Sequence, residues 1–345
     1  MLVKNLFNFV EKVIINSIFS KIVVFGVLLS AIVFLYREGT VQQEIPVLII
    51  LDTDISSDVD DVGAVAVLHA LASRGKAKIL GMMVSSGDPW SAPCLDALNT
   101  WFGRPNIPIG MIKGKSVQHE SKYSAAIAAE FPQNIETGEH APDAVTLYRK
   151  LLSEQEDGSI VIVTVGYLTN LKNLLRSKPD EFSSLGGVAL IQRKVKKLVC
   201  MGGEYPEGRE WNFYQDTAST EFVLNNWPTS IVFSGYEVGE NIMTGSAMRV
   251  LPSSHPVRQS YLLYNGITDR PSWDQMTVLY AVEANTDTSF ISWDLSPYGD
   301  NAFDSDGFNK WIVNPNTLNS YLSMATPSKR AVEIINQLMS EPSIQ

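Results

Sequence analysis

The chain has 345 residues, with 27 lysines and arginines against 37 aspartates and glutamates, a formal net charge of −10. This balance excludes the basic face that a phosphate backbone needs, so no nucleic-acid partner is expected. Hydrophobic residues make up 45% of the chain and charged residues 19%, which suits a globular protein with a sizeable core. The two cysteines, Cys94 and Cys200, exclude both a disulfide framework and a zinc site built from cysteines. Two buried thiols are expected in preference to a single bridge.

The first element is apolar. Residues 1–21 carry Lys4, Lys12 and Lys21, and residues 22–36 (IVVFGVLLSAIVFLY) form an uncharged run. A basic segment before such a run fits a membrane anchor or a signal segment, with the anchor favoured and the folded domain outside the cytoplasm; cleavage would make the protein secreted or periplasmic. Residues 37–45 read as a polar linker, and the folded domain is expected over 46–345. Within it, β-branched runs at 47–51, 79–84, 159–165, 197–201 and 229–233 predict strands. They alternate with helical patterns at 59–73, 93–102, 142–154, 170–176 and 217–225. Strands apolar throughout and separated by helices imply a single α/β domain with an open, mainly parallel sheet covered by helices on both faces. Ligands then bind beyond the carboxyl ends of the strands. The C-terminal third, rich in Trp, Pro, Asn and Asp, reads as loops and short helices ending in a helix over 328–339.

Directly after the first strand candidate stand Asp52, Asp54, Asp58, Asp60 and Asp61. Ser57 or Asp58 suits the cap of the next helix, whose inner stripe is Val59, Val62, Val65, Ala66 and His69. Its dipole favours a first-turn carboxylate by only ~0.3–1 kcal/mol. Two charges about 4 Å apart at an effective dielectric near 20 repel by about 4 kcal/mol. A bound cation resolves that conflict, or some groups are protonated. Oxygen donors alone imply a hard ion, Ca²⁺ or Mg²⁺. An EF-hand is a poor fit, because the sixth and twelfth positions from Asp52 are Ser57 and Gly63.

The order Asp52-Thr53-Asp54, Asp60-Asp61, Val165-Gly166-Tyr167-Leu168-Thr169-Asn170, Met201-Gly202-Gly203, Glu210-Trp211-Asn212 with Asp216, and Trp273-Asp274 resembles the inosine-uridine preferring nucleoside hydrolase family. The resemblance runs from Val47 to the C-terminus. It implies a Rossmann-like fold and Ca²⁺ held by Asp54, Asp61, the Val165 carbonyl and Asp274. It also implies Asp54 as the general base for calcium-activated water, Asp60 as acceptor for a sugar hydroxyl and Asp52 as support behind the ligands. Met201, Glu210 and Asn212 would hold the sugar, Glu210 and Asn212 projecting together from an extended segment. The partner so implied is a small-molecule nucleoside or other N-riboside, with a homo-oligomer also possible.

The pattern departs from the family at the leaving group. A histidine expected before Asp274 is replaced by Trp273, which cannot act as an acid but can stack on an aromatic leaving group. Ser85, Ser86 and Asp88 replace a Gly-Asn pair, and an asparagine expected between Met201 and Glu210 has no counterpart. His69 reads as a core residue and His119, His140 and His255 as surface residues. Residues 121–138, flanked by His119 and His140, suit a lid. Tyr123 and Arg270 are other candidate donors. Two readings compete with hydrolysis: a calcium- and ribose-binding protein without catalysis, and an aspartate-based phosphatase using Asp52 and Asp54.

Overall fold

The structure, a computed structural model, describes residues 45–283 and 290–342. In chain order the strands are β1 (Val47–Thr53), β2 (Ala77–Val84), β3 (Ile109–Met111), β4 (Ile160–Thr164), β5 (Val195–Met201), β6 (Glu207–Gly208), β7 (Ile231–Ser234), β8 (Met243–Thr244), β9 (Arg270–Pro271), β10 (Trp293–Leu295), β11 (Gly299–Phe303), β12 (Asn309–Val313) and β13 (Ser320–Met324). Eight of them form the central sheet, in the order β10-β13-β7-β5-β4-β1-β2-β3. Every pairing in it is parallel except that of β10 with β13. The expected α/β architecture is therefore present. Strands such as Ile160–Thr164, buried at every residue, fit a sheet with helices on both faces.

The chain builds outward from β1 in two directions. β2 and β3 lie on one side, and β4, β5, β7 and β13 on the other. The strand order thus reverses between β1 and β4, and the crevice beyond their carboxyl ends is where such sheets bind ligands. Asp52 pairs in register with Thr164, so the two strands end side by side. The Val165 amide donates to the Asp52 carbonyl at 2.8 Å, carrying the alignment one residue past β4.

The helix Asp60–Ser73 is buried from its first residue to Leu71. Its surroundings include the helices Trp273–Glu283 and Ser328–Met339, so the one-sided apolar stripe expected from sequence gives way to an all-round buried helix. Gly63 permits the close fit: a Cβ there would lie 2.3 Å from Gln275 Nε2. The C-terminal third corrects the reading as loops. β13 extends the central sheet through Ser320↔Val232 and Tyr321↔Phe233, and β6, β11 and β12 form a separate antiparallel sheet. These strands have two to five residues and mixed polarity, too short and too exposed for a period to show.

The membrane expectation is also corrected. Among the described residues, no helix is long and apolar enough to cross a membrane. The run 22–36 on which the anchor and the location outside the cytoplasm were based lies outside those residues. Cys94 and Cys200 are buried free thiols.

Candidate active site

β1 ends at Thr53, and the turn from Asp54 to Asp58 leads into the helix beginning at Asp60. Thr53 Oγ1 donates to the Asp61 carboxylate and accepts the Ile55 amide at 3.1 Å, tying strand end to helix start. No side chain caps this helix in the expected way; the Asp58 carboxylate accepts the Val59 amide at 2.6 Å instead. Asp54 Oδ2 accepts Ser57 Oγ at 3.1 Å. Asp274 arrives from a distant part of the chain, in the first turn of the helix Trp273–Glu283, and its amide donates to Asp60 Oδ2 at 3.4 Å.

Carboxylate oxygens of Asp60, Asp61 and Asp274 all lie within 4.8 Å of one another, and all three residues are buried. With Asp54 they line a cavity of about 340 Å³. Burial, then the neighbouring carboxylates, raises the pKa of Asp61 and Asp274 far above the usual range; Asp60 rises for the same first reason and is further raised by Asp58. Burial pushes Asp54 up to about 6, against stabilising contributions from Tyr167 and Ser57. The Tyr167 hydroxyl is near enough to act on Asp54 but lacks the geometry of a full hydrogen bond. Arg270 is the one basic side chain lining the cavity among the described residues, and it pairs with Asp58. Its charge also eases Asp60, though by less than burial and Asp58 raise that carboxyl, so one guanidinium faces the whole crowd of acids. Oxygen-only donors held this close fit a hard divalent ion.

The remaining expected residues also converge. Val165, Met201, Glu210, Asn212 and Trp273 line the same cavity. Asp52 lies behind it, fully buried, accepting Tyr148 Oη at 2.9 Å and Asn170 Nδ2 at 3.2 Å. Burial still pushes its carboxyl up to about 8. The pair Glu210 and Asn212 differs from the extended segment expected. Glu210 is the N-cap of the helix Trp211–Gln215, and its carboxylate accepts the amides of Asn212, Phe213 and Gly203 at 2.8, 3.1 and 3.1 Å. It shapes the loop more than it reaches outward, and burial pushes its pKa up to about 7. Asn212 Nδ2 reaches the Val165 carbonyl at 3.1 Å and Met201 Sδ at 3.3 Å, joining the ends of β4 and β5. A carbonyl has two lone pairs, so Val165 keeps one for another partner.

Ser85, Ser86 and Asp88 do not line the cavity. Ser86 Oγ contacts Ser56 Oγ at 3.0 Å and Ser91 Oγ at 3.1 Å, a buried hydroxyl chain under the Asp54–Asp58 turn. Asp88 accepts Ser124 Oγ at 2.6 Å, and Tyr123 Oη donates to the Asp58 carbonyl at 2.6 Å. Both contacts fasten segment 121–138, and Tyr123 is thereby occupied. No histidine lines the cavity. His69 is a core residue bonded to Asn99, whereas His255, buried against Trp101, is not the surface residue expected.

Sequence reasoning missed Tyr236 and Tyr264, which bring no motif with them, and gave no role to Tyr167 and Trp211, which stand inside quoted motifs. Gly166 is a further omission. A Cβ there would sit 2.5 Å from the Asp54 amide nitrogen and 2.7 Å from Asp54 Oδ1. Gly166→Ala is expected to displace Asp54 and cut turnover of any substrate by about 100-fold, the effect of an ångström-scale misplacement. Paired kinetics and thermal melts check it, since a loss explained by unfolding would appear in both.

Fold and site together define a Rossmann-like α/β protein whose switch-point crevice holds a buried nest of carboxylates. The chain belongs to the inosine-uridine preferring nucleoside hydrolase family, whose profile matches residues 49–319. An uncharacterized protein of Schizosaccharomyces pombe is 29% identical over 197 residues, 52% of this chain; the match spans 57% of that relative's length. The inosine-uridine preferring nucleoside hydrolase of Bacillus anthracis superposes with a TM-score of 0.62 at 15% identity, over 85% of this chain and 99% of its own. The purine-preferring ribonucleoside hydrolase of Gardnerella vaginalis gives 0.62 at 17%, over 85% and 98%. The type III effector XopQ, solved with adenosine diphosphate ribose, gives 0.64 at 13%, over 87% and 95%. These likenesses bear on the fold.

Proposed function

We propose that the protein hydrolyses the N-glycosidic bond of a ribonucleoside or related N-riboside, with Ca²⁺ in the carboxylate nest. The observation that carries this reading is the meeting of Asp54, Asp60 and Asp61 with the distant Asp274 in one cavity of a family member. Asp61, Asp274, Asp54 and the free lone pair of the Val165 carbonyl would hold the ion. When bound, it supplies Lewis acidity and a point of attachment for the vicinal hydroxyls of the sugar.

The chain's own groups do the rest. Asp54 takes the proton from water as the oxygen attacks the anomeric carbon. Charge on the ring is oxocarbenium-like at that point, and the surrounding carboxylates stabilise it. Asp60 accepts a sugar hydroxyl, Asn212 and Met201 flank the ribose, and Asp52 with Tyr148 and Asn170 steadies the end of β1. Trp273, its Nε1 spent on the Tyr236 carbonyl at 2.8 Å, offers a ring face to the departing base. XopQ's ligand contains ribose, which agrees with a ribosyl substrate. A phosphatase reading is disfavoured because, among the described residues, no lysine lines the cavity.

The test is a panel of nucleosides and ribosyl compounds with the full chain, with and without chelator, following free ribose. Ribose release that chelator abolishes and Ca²⁺ restores is the expected result. Calcium-dependent binding without ribose release would leave the binding-protein reading in its place.

A further inference from the structure

None of the donors considered from the sequence serves the cavity as a proton source for a departing base. No histidine lines it, the indole of Trp273 does not titrate usefully, and the Tyr123 hydroxyl is occupied elsewhere. Arg270 stands on the same wall. It lies in β9, which pairs antiparallel with β8 through Thr244↔Arg270, and it precedes Asp274 by four residues. A two-stranded ribbon fixes its backbone more closely than a loop would. One edge of its guanidinium is used: Nε reaches Asp58 Oδ1 at 3.1 Å and Oδ2 at 3.0 Å, and Nη2 also bonds Asp58. Nη1 donates to no described residue. The guanidinium carbon lies 5.1 Å from the centre of the Trp273 ring, and that ring is 5.3 Å from Tyr236 at an interplanar angle of 32°. A fixed cation with spare donors therefore borders the aromatic face on which a planar base would rest.

We propose that Arg270 receives the leaving group, its free edge donating to an exocyclic carbonyl oxygen that holds negative charge on the departing heterocycle. This rests on the hydrolase reading above. The C1′–N bond breaks with both electrons going to nitrogen. The charge spreads to the exocyclic carbonyl oxygen, which accepts from the free edge of Arg270, while water forms the new C1′–O bond and gives its proton to Asp54. Arg270 keeps its own protons, since a guanidinium does not act as an acid in proteins. Solvent protonates the heterocycle after departure. Asp58 aims the fork while leaving one edge open, a geometry that a lysine cannot reproduce.

The experiment compares wild type, Arg270→Gln and Arg270→Lys on inosine, uridine and nitrophenyl riboside, whose leaving group needs far less assistance. Arg270→Gln is expected to lower kcat/KM for inosine and uridine about 100-fold more than for nitrophenyl riboside, the scale of losing one charge-stabilising donor. Across phenyl ribosides of graded acidity, its rates should depend more steeply on leaving-group pKa than those of wild type. Arg270→Lys should recover part of the loss. A uniform loss on every substrate, or none, would overturn the assignment. If Arg270→Gln fails to fold, Asp58→Asn/Arg270→Gln removes both charges of the pair and serves the same comparison. Wild type that releases ribose from none of these substrates refutes the hydrolase reading itself, whereas normal wild-type turnover with an unchanged leaving-group slope refutes only Arg270.

Discussion

Asp54→Asn is expected to lower kcat on every turned-over riboside by at least about 1,000-fold, towards the upper range for loss of a general base. The substitution is nearly isosteric, and the amide oxygen still accepts Ser57 Oγ, so the turn keeps its shape. It removes a charge that burial already disfavours, and melting in chelator above pH 6 should be unchanged or slightly higher. Two roles must be separated, since Asp54 is proposed both as base and as an ion ligand. Calcium titration provides the separation. If activity returns at saturating Ca²⁺, Asp54 only holds the ion. If the ion binds and kcat stays low, the base role stands. Asp274→Asn is the companion variant and should mainly weaken Ca²⁺ affinity. Retention of more than about a tenth of wild-type kcat by Asp54→Asn would exceed what loss of a base allows and end the assignment.

What the sequence revealed, and what it hid, follows from the range of the interactions. β1, β4 and β5 carry the apolar runs Val47–Leu51, Ile160–Val163 and Leu198–Met201, whose identity needs no knowledge of the rest of the chain. Asp52, Asp54, Asp60 and Asp61 are equally local, because a strand-to-helix junction places them together. That Asp274 joins them across more than 200 residues came from the order of family motifs and not from periodicity. Glu210 was misjudged because an N-cap and an extended pair read alike over three residues; only the amides that the carboxylate accepts tell them apart. β13 was missed because Ser-Tyr-Leu-Ser-Met is too short and too mixed in polarity to show a period, and its place is fixed by the edge that β7 leaves open. Tyr236, Tyr264 and Arg270 come from separate connections, and only folding sets them around one cavity.

Metal-free protein should lose thermal stability steadily as pH rises from about 4 to 8, and Ca²⁺ should remove the part of that dependence which its ligands carry. The sign follows from proton linkage. Asp54, Glu210 and Asp52 are pushed up to about 6, 7 and 8 from ordinary values of 3.8, 4.5 and 3.8, all by burial first. Asp60, Asp61 and Asp274 are raised as well. The folded state thus binds more protons than the unfolded chain across this window, so the slope of unfolding free energy with pH is negative. Their contribution is complete below the unfolded values and is lost as pH climbs through the folded ones. A tenfold change in a carboxyl's proton affinity is worth about 1.4 kcal/mol, which is already large against the margin on which a domain stands. A divalent ion reverses the balance, because it binds the ionised nest of the folded state and has no such nest in the unfolded chain. Melts in chelator and in millimolar Ca²⁺ should differ by more than about 5 °C at pH 7.5 and by less than half of that at pH 5.5, given a few degrees per kcal/mol for a domain of this size. A calcium effect equal at both pH values, or greater in acid, would mean that the ion binds somewhere other than these carboxylates.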